Sequence, residues 1–363
     1  MTIEMANADA CPKVSLLVPI YNVERYLREC LQSAAAQTLT DIEVICINDG
    51  STDGSRAIIE EFLADPRFRV IDKENSGYGA SMNQGLRACR GEYIGILESD
   101  DFLSAEGLET LYRLAKADDA DVVKSDFYLY WSVPKEREER FGWVTAAKTG
   151  LVRPRDFTDV FYLKPSIWSA LYKRSFLEEN GICFLETPGA SYQDAGFNFK
   201  VWAMAERAVL VDEAFLRYRQ DNEASSVNSP GKVYCVCDEY AEMIRYLDSH
   251  PCDRAFLDPV LVKMRYDSYM WNYDRLSPEL RQEFVWRMAE DFRREDEAGL
   301  TDYDLFESWK EADRKAIMDN PQLFHIRKMG AEGGGKLGTL RRCYQTGGVP
   351  LVMKIAREKL GLR

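Results

Sequence analysis

The sequence predicts an α/β fold: a mostly parallel sheet flanked by helices, followed by a C-terminal helical region. Three observations predict it. Short, near-continuous apolar runs alternate with helix-patterned segments over residues 14–129, the signature of a parallel sheet covered on both faces. Polar clusters recur at the carboxyl ends of strands, at 20–22, 48–53 and 98–101, where ligands bind in open sheets of this kind. Beyond Lys232 the apolar spacing becomes helical.

The elements follow in order. Val14 to Pro19 (VSLLVP) reads as a buried strand ending in a polar turn. Val23 to Gln37 repeats Leu27, Leu31 and Ala34 at helical spacing, with Cys30 beside them. Ile42 to Ile47 is a second strand, and Asn48-Asp49-Gly50-Ser51-Thr52-Asp53 a turn with helix-capping side chains. A helix over 54–64, a strand over 68–71, a glycine-bearing loop over 75–79 and a helix to Ala88 come next. Tyr93 to Leu97 is a strand ending in Glu98-Ser99-Asp100-Asp101. A helix over 105–117 and a strand over 122–129 complete the repeat. Residues 132–155 read as an inserted loop or hairpin, 195–205 as a helix and 208–218 as a strand pair. Helices are expected over 234–247, 256–272, 278–294 and 303–317, then a glycine-rich linker over 330–338 and a tail helix. The expected domains are 1–226, 227–326 and 327–363.

The composition excludes several classes. Of 363 residues, 46% are apolar and 12% aromatic, too many for a disordered chain. No run approaches the ~20 apolar residues that span a bilayer, and the N-terminus lacks the order of a signal peptide. A cytoplasmic protein is expected, peripheral to the inner face of the membrane if it meets one. The nine cysteines form no C-x-x-C pair, so buried thiols in a reducing compartment are expected. Two histidines, His250 and His325, leave little material for a histidine metal site or a serine–histidine–acid triad. The net charge of −13 is uneven. From Arg327 onward nine Lys/Arg stand against two Glu, a net of +7, which leaves −20 on the rest. An acidic body argues against nucleic acid.

Two clusters carry the chemistry. Three carboxylates within Glu98-Ser99-Asp100-Asp101 repel one another unless a cation or ligand neutralises them, and hard oxygen donors of this type suit Mg²⁺ or Mn²⁺ bridging to phosphates. The competing reading is a strand end whose Asp100 or Asp101 caps the next helix. In the 48–53 cluster, Ser51 or Asp53 as a helix cap accounts for one acid but not for Asp49, which could accept from a nucleobase imide or a ribose hydroxyl.

Val18-Pro19-Ile20-Tyr21-Asn22, Asn48-Asp49-Gly50-Ser51-Thr52-Asp53, Asn75-Ser76-Gly77 with Asn83-x-Gly85, and Glu98-Ser99-Asp100-Asp101 together resemble, in order and spacing, the family 2 glycosyltransferases. The resemblance is strong over residues 12–130 and looser to about 226. It implies a GT-A, Rossmann-like fold and an inverting, metal-dependent enzyme of the cell-envelope or capsule type. The implied donor is a nucleotide sugar, with uracil the favoured base, and the implied acceptor a hydroxyl of a glycan or lipid-linked chain. Pro19, Tyr21, Asp49, Asn75, Gly77, Glu98 and Ser99 match the donor-nucleotide side. Asp100, with Glu98, matches the metal-binding pair and implies Mn²⁺ or Mg²⁺; Glu98 stands where the family usually has Asp. Gln193-Asp194-Ala195-Gly196-Phe197 resembles the segment that supplies the general base, which makes Asp194 the catalytic candidate; the alternative is an N-cap of a helix from Ala195. Trp168 matches the acceptor side, where it would stack on a sugar, or belongs to the core. Tyr218-Arg219 followed by Ser225-Ser226 resembles the loop beside the diphosphate, with Arg219 steadying it or simply solvated.

Two other motifs fail. Gly77-x-Gly79 lacks the third glycine of a dinucleotide fingerprint, and Gly330-x-x-x-x-Gly335-Lys336 is followed by Leu337 where a phosphate loop needs Ser or Thr. The alternatives to transfer are a non-catalytic nucleotide-sugar-binding protein on the same fold and a sugar nucleotidyltransferase. In the tail, Leu351, Val352, Ile355 and Leu362 could share one helix face with cations elsewhere. That suits peripheral contact with an anionic membrane, a solvated helix, or a contact within a homo-oligomer.

Overall fold

The computed structural model describes residues 11–142, 148–222, 233–331 and 335–360. Two compact units make up the chain, Met1–Asn228 with Glu242–Tyr246, and Ser229–Ala241 with Leu247–Arg363.

The first unit is built on one mixed sheet. It opens with β1 (Val14–Ile20), α1 (Glu24–Ala35), β2 (Ile42–Asp49), α2 (Ser55–Phe62), β3 (Phe68–Lys73), α3 (Tyr78–Ala88) and β4 (Tyr93–Ile96). Every residue of β1 and β2 is buried, as strands covered on both faces require. These four strands pair in parallel in the order β3-β2-β1-β4. Beyond them come β5 (Phe102–Leu103), α4 (Gly107–Ala117), β6 (Val122–Trp131), β7 (Arg137–Phe141) and β8 (Gly150–Val152). The unit then adds β9 (Ala170–Lys173), α5 (Arg174–Glu179), α6 (Gln193–Met204) and β10 (Ala208–Arg219). The sheet continues β4-β9-β6-β10-β5, with β9 antiparallel to both neighbours and β10 parallel to β6. The segment 132–155 contributes β7, antiparallel to β6, and β8, antiparallel to β10. The expected strand pair over 208–218 is one continuous strand, β10. Its register against β6 shifts between Val211 and Ala214 and again before Leu216, so a bulge bends it where a turn was expected.

The second unit is helical. It contains part of α7 (Cys235–Ser249), then α8 (Arg254–Arg275), α9 (Pro278–Glu297), α10 (Ser308–Asp319), α11 (Pro321–Met329) and α12 (Gly335–Lys359). Tyr266, Tyr269 and Tyr273 of α8 line its core with Phe284 and Phe292 of α9. Arg314 is wholly buried there, donating to Glu295 (2.9 Å), to the Phe292 carbonyl (3.0 Å) and to the Tyr303 hydroxyl (2.7 Å). The linker expected over 330–338 gives way to α12, whose helix begins within it at Gly335. The helix breaks at Gly348 (φ 65°), just before Pro350. All nine cysteines are free thiols. Among the described residues no helix is long and apolar enough to cross a membrane.

Candidate active site

Because β1, β2 and β4 run parallel, the chain leaves all three at the same sheet edge. There the loops after β1 and β2 are stitched together. Asn22 accepts from the Thr52 N–H (2.8 Å), and Ser51 accepts from the Asn22 N–H (3.2 Å). Asp53 accepts from Ser55 N (3.0 Å) and Glu24 N (3.0 Å), so one carboxylate serves the first turns of α1 and α2 together. Tyr21 projects from this edge, 53% exposed. Pro19 lies one step back, buried inside β1 rather than in the loop.

Asp49 is almost fully buried, and its own chain engages both carboxylate oxygens. Lys73 Nζ and the Ser76 N–H (2.9 Å) donate to Oδ1, and the Gly77 N–H (3.1 Å) donates to Oδ2. Asp49 therefore fixes the 75–77 loop, in which Asn75 is exposed. Gly77 has φ +91°, and a Cβ on it would fall 2.8 Å from Gly189 N and from Thr187 O. The close approach that Gly77 permits is thus to the 187–189 backbone. Tyr78 N donates to the Gly189 carbonyl (3.0 Å), and Asn83 exchanges hydrogen bonds with the Phe184 backbone (2.8 and 2.9 Å). In this way the loop expected beside the nucleotide docks onto the segment that leads to Asp194.

Glu98 accepts from the Tyr78 hydroxyl (2.7 Å), and Asp100 from Asn222 Nδ2 (2.8 Å). Ser99 is buried between them. Asp101, 1% exposed, accepts from the Arg219 N–H (2.8 Å) through Oδ1, while Oδ2 has no partner among the described residues. The helix α6 begins at Gln193, so Asp194 sits inside its first turn rather than at the cap, accepting from the Ala195 N–H (2.9 Å). Burial, reinforced by the charges of Asp100 and Asp194, pushes the Glu98 carboxyl up to about 8 against the Tyr78 hydrogen bond. Burial also pushes Asp194 up to about 6, opposed by the Ala195 N–H and the charge of Lys164. Asp101 is driven well up by burial and by Asp100. Glu98 thus feels the charges of Asp100 and Asp194, and the Tyr218 hydroxyl feels all three, which places these acids around one spot where a cation and a proton could be received.

No group of three or more metal-type side chains stands ready as a cage among the described residues. The donor set still fits Mg²⁺ or Mn²⁺, which one or two carboxylates hold together with substrate phosphates. The partnerless Asp101 oxygen, and the Glu98 carboxyl raised first by burial and then by the charges of Asp100 and Asp194, mark a spot short of positive charge.

Three neighbours complete the surroundings. Arg219 is 5% exposed and is neither solvated nor a free cation. Its Nε donates to the Asp100 carbonyl (2.9 Å), a terminal nitrogen pairs with Glu29 (2.5 Å), and its plane lies 4.6 Å from the Tyr26 ring centroid. It braces the 98–101 turn. Trp168 is 8% exposed, stacked on Tyr218 at 4.8 Å and in T-shaped contact with Phe127 at 4.5 Å, so it packs among core aromatics, the second of its two expected places. Gln193, standing where an acid is usual, donates to Thr187 Oγ1 (2.9 Å) and accepts from the Ser191 N–H, ordering the loop before Asp194. Ser225 and Ser226 lie outside the described residues.

The sequence reading missed Tyr78, Lys73, Lys164 and Asn222, each a common residue outside any motif. It also missed Lys124 of β6, which is buried, donates to the Ser166 carbonyl and has its ammonium pushed down to about 7 by burial. A lysine inside the apolar run Val122-Val123-Lys124 was the available signal. A cavity of about 490 Å³ beside Cys11, Lys13, Glu92 and Arg174 opens at the amino ends of β1 and β4, remote from these carboxylates.

A mixed sheet in this strand order, with acids at the tips of neighbouring parallel strands, is the GT-A fold. Residues 15–181 match the sequence profile of Glycosyl transferase family 2. The glycosyltransferase GlyG of Streptococcus pneumoniae is 31% identical over 216 residues, covering 57% of this chain and 70% of GlyG. The chain belongs to glycosyltransferase family 2. The uncharacterized glycosyltransferase EpsJ of Bacillus subtilis is 34% identical over 216 residues; the match covers 58% of this chain and 62% of EpsJ, so the chain spans less than two thirds of that relative. In structure, residues 1–349 of S. aureus TarS, in complex with UDP-GlcNAc, superpose with a TM-score of 0.70. That alignment covers 87% of this chain and 90% of the TarS chain at 19% identity.

Proposed function

We propose that this chain transfers a sugar from a nucleotide-diphosphate donor to a hydroxyl of a glycan or lipid-linked acceptor, inverting the anomeric carbon, in polysaccharide synthesis at the cell envelope. The observation that carries the reading is that Asp194 and Asp100 both act on Glu98, and all three on Tyr218, although Asp194 lies about 95 residues further along the chain. Near neutral pH, Asp194 is ionised yet basic enough to take a proton from the acceptor hydroxyl. The acceptor oxygen then bonds to the anomeric carbon as the bond to the diphosphate oxygen breaks. The freed electron pair leaves with the nucleotide diphosphate, and the proton stays on Asp194 Oδ. A divalent cation, Mn²⁺ or Mg²⁺, would be held by Asp100 with Glu98, and when bound supplies positive charge to the departing diphosphate. Tyr21, exposed beyond the carboxyl end of β1, is a side chain that can stack on the base. The UDP-GlcNAc complex of TarS supports a uridine donor.

The test is a panel of nucleotide sugars with Mn²⁺, read by nucleotide release and by thermal shift. Turnover of one donor that Asp194→Asn abolishes and that leaves donor binding intact supports the reading. Tight donor binding with no turnover by the wild type, across acceptors, assigns the chain to the non-catalytic binders.

A further inference from the structure

We propose that α12 is a membrane-docking helix whose face bearing Val349, Met353 and Leu360 lies on an anionic lipid bilayer. The sequence pattern groups Leu351, Val352, Ile355 and Leu362, but the structure turns the helix otherwise. Leu351, Val352 and Ile355 are half-buried, and the same arm is tied to α10 by Lys354 to Glu311 (3.5 Å) and by Ser308 to Glu358; Leu362 lies outside the described residues. What α12 presents instead is Val349 (56% exposed), Met353 (54%) and Leu360 (72%), with Ala356 exposed between them. Steps of four, three and four residues place all four side chains on one stripe. Before the break at Gly348 the first arm repeats the pattern, with Leu340 49% and Tyr344 58% exposed one turn apart.

Two observations select the partner. Arg357 and Lys359 fall on either side of the second stripe, and Arg341 is next to the first. Their long stems can run along an apolar surface while the charged ends reach lipid phosphates. The segment from Arg327 onward carries +7 while the preceding chain carries −20. An anionic surface therefore attracts the tail and repels the body, so the tail is what docks. A narrow apolar stripe with cations on both flanks suits the flat interface of a bilayer, whereas a protein groove would have to enclose it.

The inference is independent of the sugar-transfer reading, because its test uses no nucleotide. The full chain is floated with vesicles of phosphatidylcholine alone or with about 30% phosphatidylglycerol, at roughly 50 and 500 mM salt. Wild type is expected to float with the anionic vesicles only, and to be released by salt. Val349→Asp/Met353→Asp/Leu360→Asp and, separately, Arg341→Glu/Arg357→Glu/Lys359→Glu each lower the bound-to-free ratio about tenfold or more, with unfolding midpoints unchanged because the altered side chains are exposed. Failure of the wild type to float on anionic vesicles overturns the proposal, as does flotation by both variants equal to wild type. A dimer in sedimentation that the Asp variant dissolves, without lipid binding, assigns the face to a second copy and likewise overturns it.

Discussion

Glu98→Gln should make the protein more stable while disabling it. Glu98 is only partly exposed, and its carboxyl is raised from 4.5 to about 8 by burial, with Asp100 and Asp194 adding to the shift. A carboxyl raised on folding means that the folded state binds the proton more tightly. Its stability contribution is therefore intact below the unfolded value and is lost as pH rises through the folded one. At 1.36 kcal/mol per unit, the interval from 4.5 to pH 7 sets a ceiling of about 3 kcal/mol on the cost of this one group. Water entry and rearrangement reduce it, so about 1–3 kcal/mol is expected. Glutamine is nearly isosteric and can still accept from the Tyr78 hydroxyl. The assay is urea unfolding with chelator present, at pH 4.5, 7 and 8.5, comparing midpoints at equal m. The Gln variant should match wild type at the lowest pH and gain steadily above it. Adding UDP and Mn²⁺ should stabilise wild type more than the variant. A variant no more stable than wild type at pH 8.5 would refute the claim that Glu98 is held at electrostatic cost.

Asp194→Asn should lower kcat by roughly 10²–10⁴ with little change in donor KM. In wild type, kcat/KM should fall about tenfold per pH unit below about 6, as Asp194 takes up its proton before the acceptor can offer one. Arg219→Met removes the hydrogen bond to the Asp100 carbonyl and a positive charge that acts on Asp101. It should cost about 2–4 kcal/mol in urea unfolding, and a change below ~0.5 kcal/mol would discard the brace. Tyr21→Ala, at a side chain 53% exposed, should leave the melting temperature unchanged and weaken uridine diphosphate binding by about 1–2 kcal/mol in calorimetry.

The alternation of strands and helices through α4 and β6 was legible because each strand is a continuous apolar run and each helix keeps its period. What was not legible depends on pairing across the chain. Ala170–Lys173 is too short to display a period, and only its partners β4 and β6 on either side make it a strand. The two residues of β5 are a strand solely through β10. In the site, the acids were legible as residue types at strand ends, but their partners were not. Nothing in the pattern says that Tyr78 reaches Glu98, that Asn222 reaches Asp100 across 122 residues, or that Arg219 turns inward among Tyr26, Phe102 and Tyr130. The tail was hard to read for a related reason. Both faces of α12 carry apolar residues, so periodicity alone could not say which one packs.

These contacts explain how acids with raised pKa values can persist in one place. A flexible loop would relieve the repulsion by moving its carboxylates into water. Here each route of escape is closed by a fixed backbone. Asp49 pins residues 76 and 77, Gly77 and Tyr78 abut residues 187–189, Gln193 ties that same loop, and Arg219 holds the Asp100 carbonyl. Asp49, the acid expected to contact the base, therefore acts first on the protein itself, because losing its hydrogen bonds would free the 75–77 loop and with it the approach to Asp194. The cost of holding Glu98, Asp100, Asp101 and Asp194 together falls on folding, and under the proposed function a cation with a diphosphate would relieve it on binding. Asp194 is kept basic by its burial rather than by these neighbours, so the relief of that repulsion and the basicity of Asp194 have separate causes.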